Sequence, residues 1–246
     1  MPSPTTTPAT IVLVAGAGLG AAAWDLVVPH LEHAGHTVHA LTLPGVADRH
    51  DEATPQTGLH AHADDLATAI ETADLRDVTL VAHSYAGMVT SHALGRLADR
   101  LASLVFVAAA LPTAGPSLAA QTGEEGMGMI RALADEHGDG WLVPFMPPSL
   151  IEQYFGDHDL DADDMAWLQA SATPMPLATW TEEASVDPDA WRRVDRTFVV
   201  CTGDPGAPPV SDGEDGWTVL QVETGHWPMR TAPAELAARV LAAISS

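Results

Sequence analysis

The chain has 246 residues, is 46% hydrophobic and carries a formal net charge of −23; all ten of its basic residues are arginine. This length and apolar content suit one α/β domain with an insertion and a large core. A surface this acidic repels phosphate backbones and anionic bilayers, which argues against nucleic acid and membrane as partners and fits a solubility-driven or salt-adapted surface. With no lysine in the chain, a pyridoxal phosphate Schiff base and a phosphate-loop lysine are excluded.

One cysteine, Cys201, leaves no intrachain disulfide to form. No apolar run has transmembrane length. Residues 1–9 lack the basic start and long apolar stretch of a signal peptide. They read as a disordered tail, and a cytoplasmic location is expected.

Residues 11–15 are a β-branched run without alternation, as in a strand buried on both faces. The turn Gly16-Ala17-Gly18-Leu19-Gly20 follows, then a helical stretch over 24–33 and a second strand over 37–43 stopped by Pro44-Gly45. The pattern Gly16-x-Gly18-x-x-Ala21 also matches a dinucleotide fingerprint. That fingerprint needs an acid near the end of the second strand, and here none occurs before Asp48, beyond the Pro-Gly break. A nucleotide role is therefore disfavoured.

Residues 48–65 hold His50, Asp51, His60, His62, Asp64 and Asp65, a set from which a metal site could be imagined. However, a helix is predicted from 57 to about 71, capped by Thr57. His60 and His62 are two apart and do not share a helix face. A polar, solvated helix start is expected, with no metal.

A buried strand over 78–81 leads into Ala82-His83-Ser84-Tyr85-Ala86-Gly87, and a helix-compatible run over 88–97 leads out. This is the strand–turn–helix context in which a serine is presented on a sharp turn, with alanine at the two positions where glycine is usual. Another strand is predicted over 104–108.

From 112 to 195 strand-like runs disappear, prolines cluster and short helices are predicted at about 121–137, 148–155, 161–171 and 176–184. Large apolar residues, among them Trp141, Phe145, Met146 and Trp180, gather there. The segment reads as a helical cap inserted in a core made of 10–111 and 196–246. Strands at 196–202 and 217–222 end at Gly203-Asp204-Pro205 and Gly225-His226-Trp227, and an amphipathic helix over 233–244 closes the chain. Strands alternating with helices imply an α/β fold with a mainly parallel sheet of about six strands.

Function in such sheets gathers at the carboxyl ends of the strands. Ser84, Asp204 and His226 all lie there. An aspartate before proline is often a turn former, and a Gly-His-Trp stretch is often a packed loop. All three in this order are harder to dismiss.

On these residues the sequence resembles the α/β-hydrolase superfamily over nearly its whole length. Within it, the chain is similar to the small branch of plant methylesterases, hydroxynitrile lyases and bacterial esterases. The resemblance implies Ser84 as nucleophile, His226 as general base and Asp204 as its orienting acid. It implies an oxyanion hole from the backbone N–H groups of Ala17 and Tyr85. Substrate contacts are expected from Gly16, Leu19 and Trp227 and, in the cap, from Trp141, Phe145, Met146 and Trp180.

Two departures stand out. The loop usually starts His-Gly, and here it starts Ala15-Gly16. Relatives acting as hydroxynitrile lyases carry a lysine after the histidine and a threonine in the loop, where this chain has Trp227 and Gly16. The expectation is an esterase cleaving a small or medium apolar carboxylic ester, with no cofactor or metal. The partner is then a small-molecule ester, and the oligomeric state is left open, a homodimer included. The alternatives are lyase, cyclase or acyl-transfer chemistry on the same fold, or a ligand-binding protein with slow turnover.

Overall fold

A computed structural model describes residues 8–156, 159–205 and 210–244. All but the last two residues of the expected N-terminal tail lie outside the described residues.

Six parallel strands form the main sheet, in the order β2-β1-β3-β4-β7-β8. They are β1 (Thr10–Val14), β2 (Thr37–Leu41), β3 (Val78–His83), β4 (Leu101–Val107), β7 (Asp195–Cys201) and β8 (Trp217–Val222). Parallel strands need crossovers, and these supply the flanking helices α1 (Val28–His33), α2 (Leu59–Thr72) and α3 (Ala86–Leu97); α10 (Pro233–Ile244), preceded by the short α9 (Pro228–Thr231), follows the last strand. The apolar side chains of α2 and α3 pack one face of the sheet, with Leu66, Ile70, Met88 and Leu94 against Leu80 and Phe106. On the other face α1 and α10 bury Leu31, Leu236 and Val240 with Trp24 and Val105. With both faces covered, β3 is buried at every residue, which is why it reads as a largely apolar run without alternation.

The strand order reverses between β1 and β3. A crevice opens at the carboxyl ends of strands where the crossovers diverge. The Gly16–Gly20 turn leaves β1 there and Ser84 leaves β3 beside it.

Between β4 and β7 lie α4 (Leu118–His137), β5 (Leu142–Val143), α5 (Pro148–Phe155), α6 (Ala162–Ser171), β6 (Met175–Pro176), α7 (Ala178–Thr181) and α8 (Pro188–Arg193). They carry a small cluster of their own, in which Met127, Ile130, Ala134 and Val143 are buried. The antiparallel pair β5–β6 corrects the expectation of a strand-free segment. Two residues per strand, one of them proline, give no periodic signal. The helix expected over 176–184 shrinks to Ala178–Thr181 because Pro176 belongs to β6. Helix α8 was not predicted, although Asp187 caps it by accepting the N–H groups of Asp189 and Ala190. The stretch expected as one helix over 24–33 is a 3-10 turn, Ala21–Trp24, followed by α1.

Thr57 does not cap α2. Its hydroxyl accepts the N–H of Thr54, the N-cap residue is Gly58, and the first-turn N–H of His60 is met by the Glu182 carboxylate from the far segment. Among the described residues no helix is long and apolar enough to cross a membrane.

Phe106 is fully buried in β4 against Trp191 and Trp217, next to the strand end that supports Ser84. Phe106→Ala should lower unfolding free energy by about 3–5 kcal/mol in urea titration. A loss below about 1 kcal/mol would mean that this face of the sheet is not the packed core described.

Candidate active site

Ser84 has φ +52, a left-handed conformation that costs a non-glycine residue about 1 kcal/mol or more. Neighbours hold it there. Its N–H donates to Val107 C=O at 3.1 Å, and its own C=O accepts from Gly87 and Ala110, each at 3.0 Å. The flanking Ala82 and Ala86 are fully buried, so a methyl group fits where glycine is usual. Gly87 is the position that admits no side chain, since a Cβ would lie 2.4 Å from the Ala110 oxygen.

Ser84 Oγ lies 2.9 Å from His226 Nε2, and His226 Nδ1 lies 2.7 Å from Asp204 Oδ2. A carboxylate only accepts, so Nδ1 carries the proton and Nε2 is free to accept from the serine hydroxyl. The Asp204 side chain is 1% exposed and that of His226 10%. Their loops are zipped together: Thr202 N–H donates to Val222 C=O and Gly203 N–H to Thr224 C=O, both at 3.0 Å. Two further acids in the loop before β8 are engaged elsewhere. Asp212 accepts the N–H of Val219, and the Asp215 carbonyl accepts from Arg196.

The Gly16–Gly20 turn abuts the serine. A Cβ on Gly16 would sit 2.7 Å from Ser84 Cβ and 2.9 Å from His83 Nδ1, so only glycine permits the approach. Among the described residues no hydrogen bond engages the backbone N–H of Ala17 or of Tyr85. Tyr85 is the N-cap residue of α3, where the helix dipole adds partial positive charge.

A cavity of about 40 Å³ opens beside Ser84, lined by Ala17, Leu19, Phe145, Met146, Phe155 and Trp227 together with Ser84, His83 and His226. Four of the seven expected substrate contacts thus lie on it, and Gly16 lies against its floor. Trp141 and Trp180 are corrected: neither lines the cavity. Trp180 packs on the Met127–Ile130 cluster, and Trp141 precedes β5, where its carbonyl accepts the N–H of Leu177. They belong to the half of the segment built on α4, whereas residues 145–155 roof the serine. The missed residue is Phe155, whose ring centroid is 4.4 Å from that of His226 and 4.9 Å from that of Trp227. Only its place at the end of an amphipathic helix could have singled it out.

His83 was also missed. It is fully buried, and its Nε2–H donates to the His226 carbonyl at 2.8 Å, tying the residue before Ser84 to the histidine loop. Burial, reinforced by the nearby His226, lowers His83 to about 3. His62 is not solvated as expected. Its Nε2–H donates to Pro44 C=O at 2.8 Å and its Nδ1 accepts the Tyr85 hydroxyl at 3.0 Å, which anchors the side chain of an oxyanion-hole candidate. Burial lowers it to about 4. His60 instead stacks on His92 at the surface, and among the described residues no cluster of potential ligands could hold a metal ion.

An α/β sheet with a serine on a strained turn, hydrogen-bonded through histidine to a buried aspartate, defines the α/β-hydrolase class. The chain belongs to the alpha/beta hydrolase family, whose model matches residues 11–239. It is similar to a carbendazim hydrolyzing esterase of Nocardioides sp., 30% identical over 95% of this chain and 99% of the relative. It is also similar to methylesterase 9 of Arabidopsis thaliana, 28% identical over 94% and 96%. An extracellular α/β-hydrolase from a Paenibacillus species has the same fold, with a TM-score of 0.82 at 22% identity over 96% of this chain and 99% of that one.

The two buried histidines make stability depend on pH. Both are neutral in the fold, while the unfolded chain takes up protons from about pH 6.5 downward. Stability is complete above that pH and falls as pH drops towards 4, each histidine withholding about 3 kcal/mol at pH 4. The melting temperature should therefore fall steeply between pH 6.5 and 4, and His62→Gln should flatten part of the slope. An unchanged slope in that variant would refute the assignment to His62.

Proposed function

We propose that this α/β-hydrolase is a serine esterase that cleaves a neutral, small or medium apolar carboxylic ester through an acyl-enzyme. One observation carries the reading: the unbroken chain Asp204–His226–Ser84, with the backbone N–H groups of Ala17 and Tyr85 without acceptors among the described residues. Ser84 Oγ attacks the ester carbonyl while His226 Nε2 takes its proton. The resulting oxyanion accepts from Ala17 and Tyr85, donors already aimed before charge develops. Asp204 stays ionised and stabilises the imidazolium. His226 then protonates the leaving alcohol, and water repeats the sequence to release the acid.

Segment 112–195 serves as a cap that sets specificity. Phe145, Met146 and Phe155 bring an apolar roof over the serine. Among the described residues no cationic side chain lines the cavity, which suits neutral esters; Arg230, in α9 just beyond Trp227, is bound to Asp164 at 2.6 Å and lies over the Trp167 ring. The cavity is about three times the least volume that one water needs, so it encloses only a small acyl or alkoxy group. The relatives direct the first assays to methyl esters and to carbendazim.

Ser84→Ala and His226→Ala should each reduce kcat by up to about 10⁶-fold, and Asp204→Asn by about 10⁴-fold, with p-nitrophenyl and methyl esters. Retention of more than about a tenth of the activity in Ser84→Ala would rule out the covalent route.

Cyanohydrin cleavage places negative charge on a departing cyanide, and no lysine exists to meet it. Mandelonitrile should release no benzaldehyde above the solvent rate. Ser84-dependent release faster than any ester turnover would replace the esterase with a lyase. Phe145→Ala should widen the roof, shift preference towards bulkier esters and leave fluorophosphonate labelling of Ser84 intact. Loss of labelling would instead make Phe145 part of the framework of the site.

A further inference from the structure

The turn that carries Ala17 begins Ala15-Gly16, so its first side chain offers no hydrogen bond to hold it. Glycine at 16, 18 and 20 leaves the turn more backbone freedom than any other residue would. Donors of an oxyanion hole act only if they are fixed before the reaction. Something else must fix this turn.

The core secures its ends. Leu19 N–H closes onto Gly16 C=O at 3.2 Å, and Ala21 N–H donates to Thr42 Oγ1 at 2.9 Å. Gly18, the residue after Ala17, is held from the other side. Its C=O accepts the Thr173 N–H at 3.0 Å and the Thr173 hydroxyl at 3.4 Å. Its N–H donates to Met175 Sδ at 2.9 Å. The Thr173 hydroxyl also accepts the N–H of Ala47 at 2.7 Å, so one side chain joins the turn to the segment after β2. The backbones are in close contact: at φ +72, a Cβ on Gly18 would lie 2.7 Å from the Thr173 oxygen. Thr173 and Met175 both belong to the helical segment, between α6 and the end of β6.

We propose that Thr173 and Met175 are positioning residues for the oxyanion hole, and that the hole is complete only while the cap is seated on Gly18. Hydrogen bonds to both polar groups of Gly18 fix the peptide planes on either side of it. The Ala17 N–H, one peptide earlier, then has a defined direction beside Ser84. This inference rests on the esterase reading of the site, and specifically on Ala17 as a donor.

Thr173→Val tests it, because valine keeps the shape and the backbone N–H and deletes only the hydroxyl. Met175→Leu keeps the apolar bulk and deletes the sulfur. The readouts are kcat and KM for p-nitrophenyl acetate and the affinity of an aryl trifluoromethyl ketone. In the ketone adduct a bond forms from Ser84 Oγ to the carbonyl carbon, the carbonyl π pair becomes an oxyanion in the hole, and the serine proton passes to His226.

Thr173→Val should lower kcat about tenfold, short of the 10²–10³-fold that follows outright loss of a donor. Ketone affinity should fall by a similar factor, with KM within about twofold of wild type. Met175→Leu should act in the same direction, and Thr173→Ser should restore both values. If Thr173→Val and Met175→Leu match wild type in kcat and ketone affinity while wild type hydrolyses the ester, this inference fails and the esterase reading stands. The inference also fails if any loss appears equally in KM, follows a lower melting temperature and is not rescued by serine. If wild type neither turns over esters nor binds the ketone, the reading of the site fails and takes this inference with it.

Discussion

Ser84 occupies a backbone conformation that serine does not adopt unaided, and the rest of the site depends on the bonds that keep it there. The Val107 carbonyl and the Ala110 N–H come from β4 and the chain just beyond it, and Gly87 completes the turn from α3. Ser84 is thus held by two strands and a helix at once. Strain is tolerated where the surroundings over-determine it, and here it sits at the carboxyl end of β3. The close packing of Ala110 on Gly87 explains why glycine survives at that position while alanine suffices on either side of the serine.

The other groups are brought to Ser84 by strand order. β1 lies next to β3 and delivers the Gly16 turn; β7 and β8 lie beyond β4 and deliver Asp204 and His226 on loops bonded to each other. His83 adds a direct tie. It sits at the end of β3, donates to the His226 carbonyl and stays uncharged, so Ser84 and His226 are joined through the main chain as well as through their side chains. Tyr85 is anchored in the same way by His62, behind the turn. Two neutral, buried histidines therefore serve as rigid donors and acceptors around His226.

Much of this was legible in the sequence. Buried parallel strands announce themselves as β-branched runs, and β8 and α10 fall where the pattern puts them. Ser84, Asp204 and His226 could be found because strand ends are where chemistry collects. Segment 112–195 was less legible. Its helices are short, its two strands are two residues each, and which face of a short helix meets the core is decided by tertiary packing. Trp141 and Trp180 look like pocket residues for their size, yet Trp180 packs on the Met127–Ile130 cluster and Trp141 bonds to Leu177 beside β5, while Phe155 covers the histidine. His62 was misjudged for a related reason. Its neighbours in sequence are acidic and exposed, but its helix turns it inward to Tyr85. The hold of Thr173 on Gly18 spans 155 residues and leaves no local trace.

Phe145, Met146 and Phe155 stand over a cavity of about 40 Å³ beside Ser84. On the proposed reading, if an ester enters only when these side chains move aside, its apparent affinity is that of the open form reduced by the fraction of molecules that adopt it. Residues of segment 112–195 far from the serine would then govern apparent substrate binding by setting that fraction. A roof that seats more firmly would make the site drier and the donors steadier, and it would weaken the capture of substrate in the same proportion as it depletes the open form.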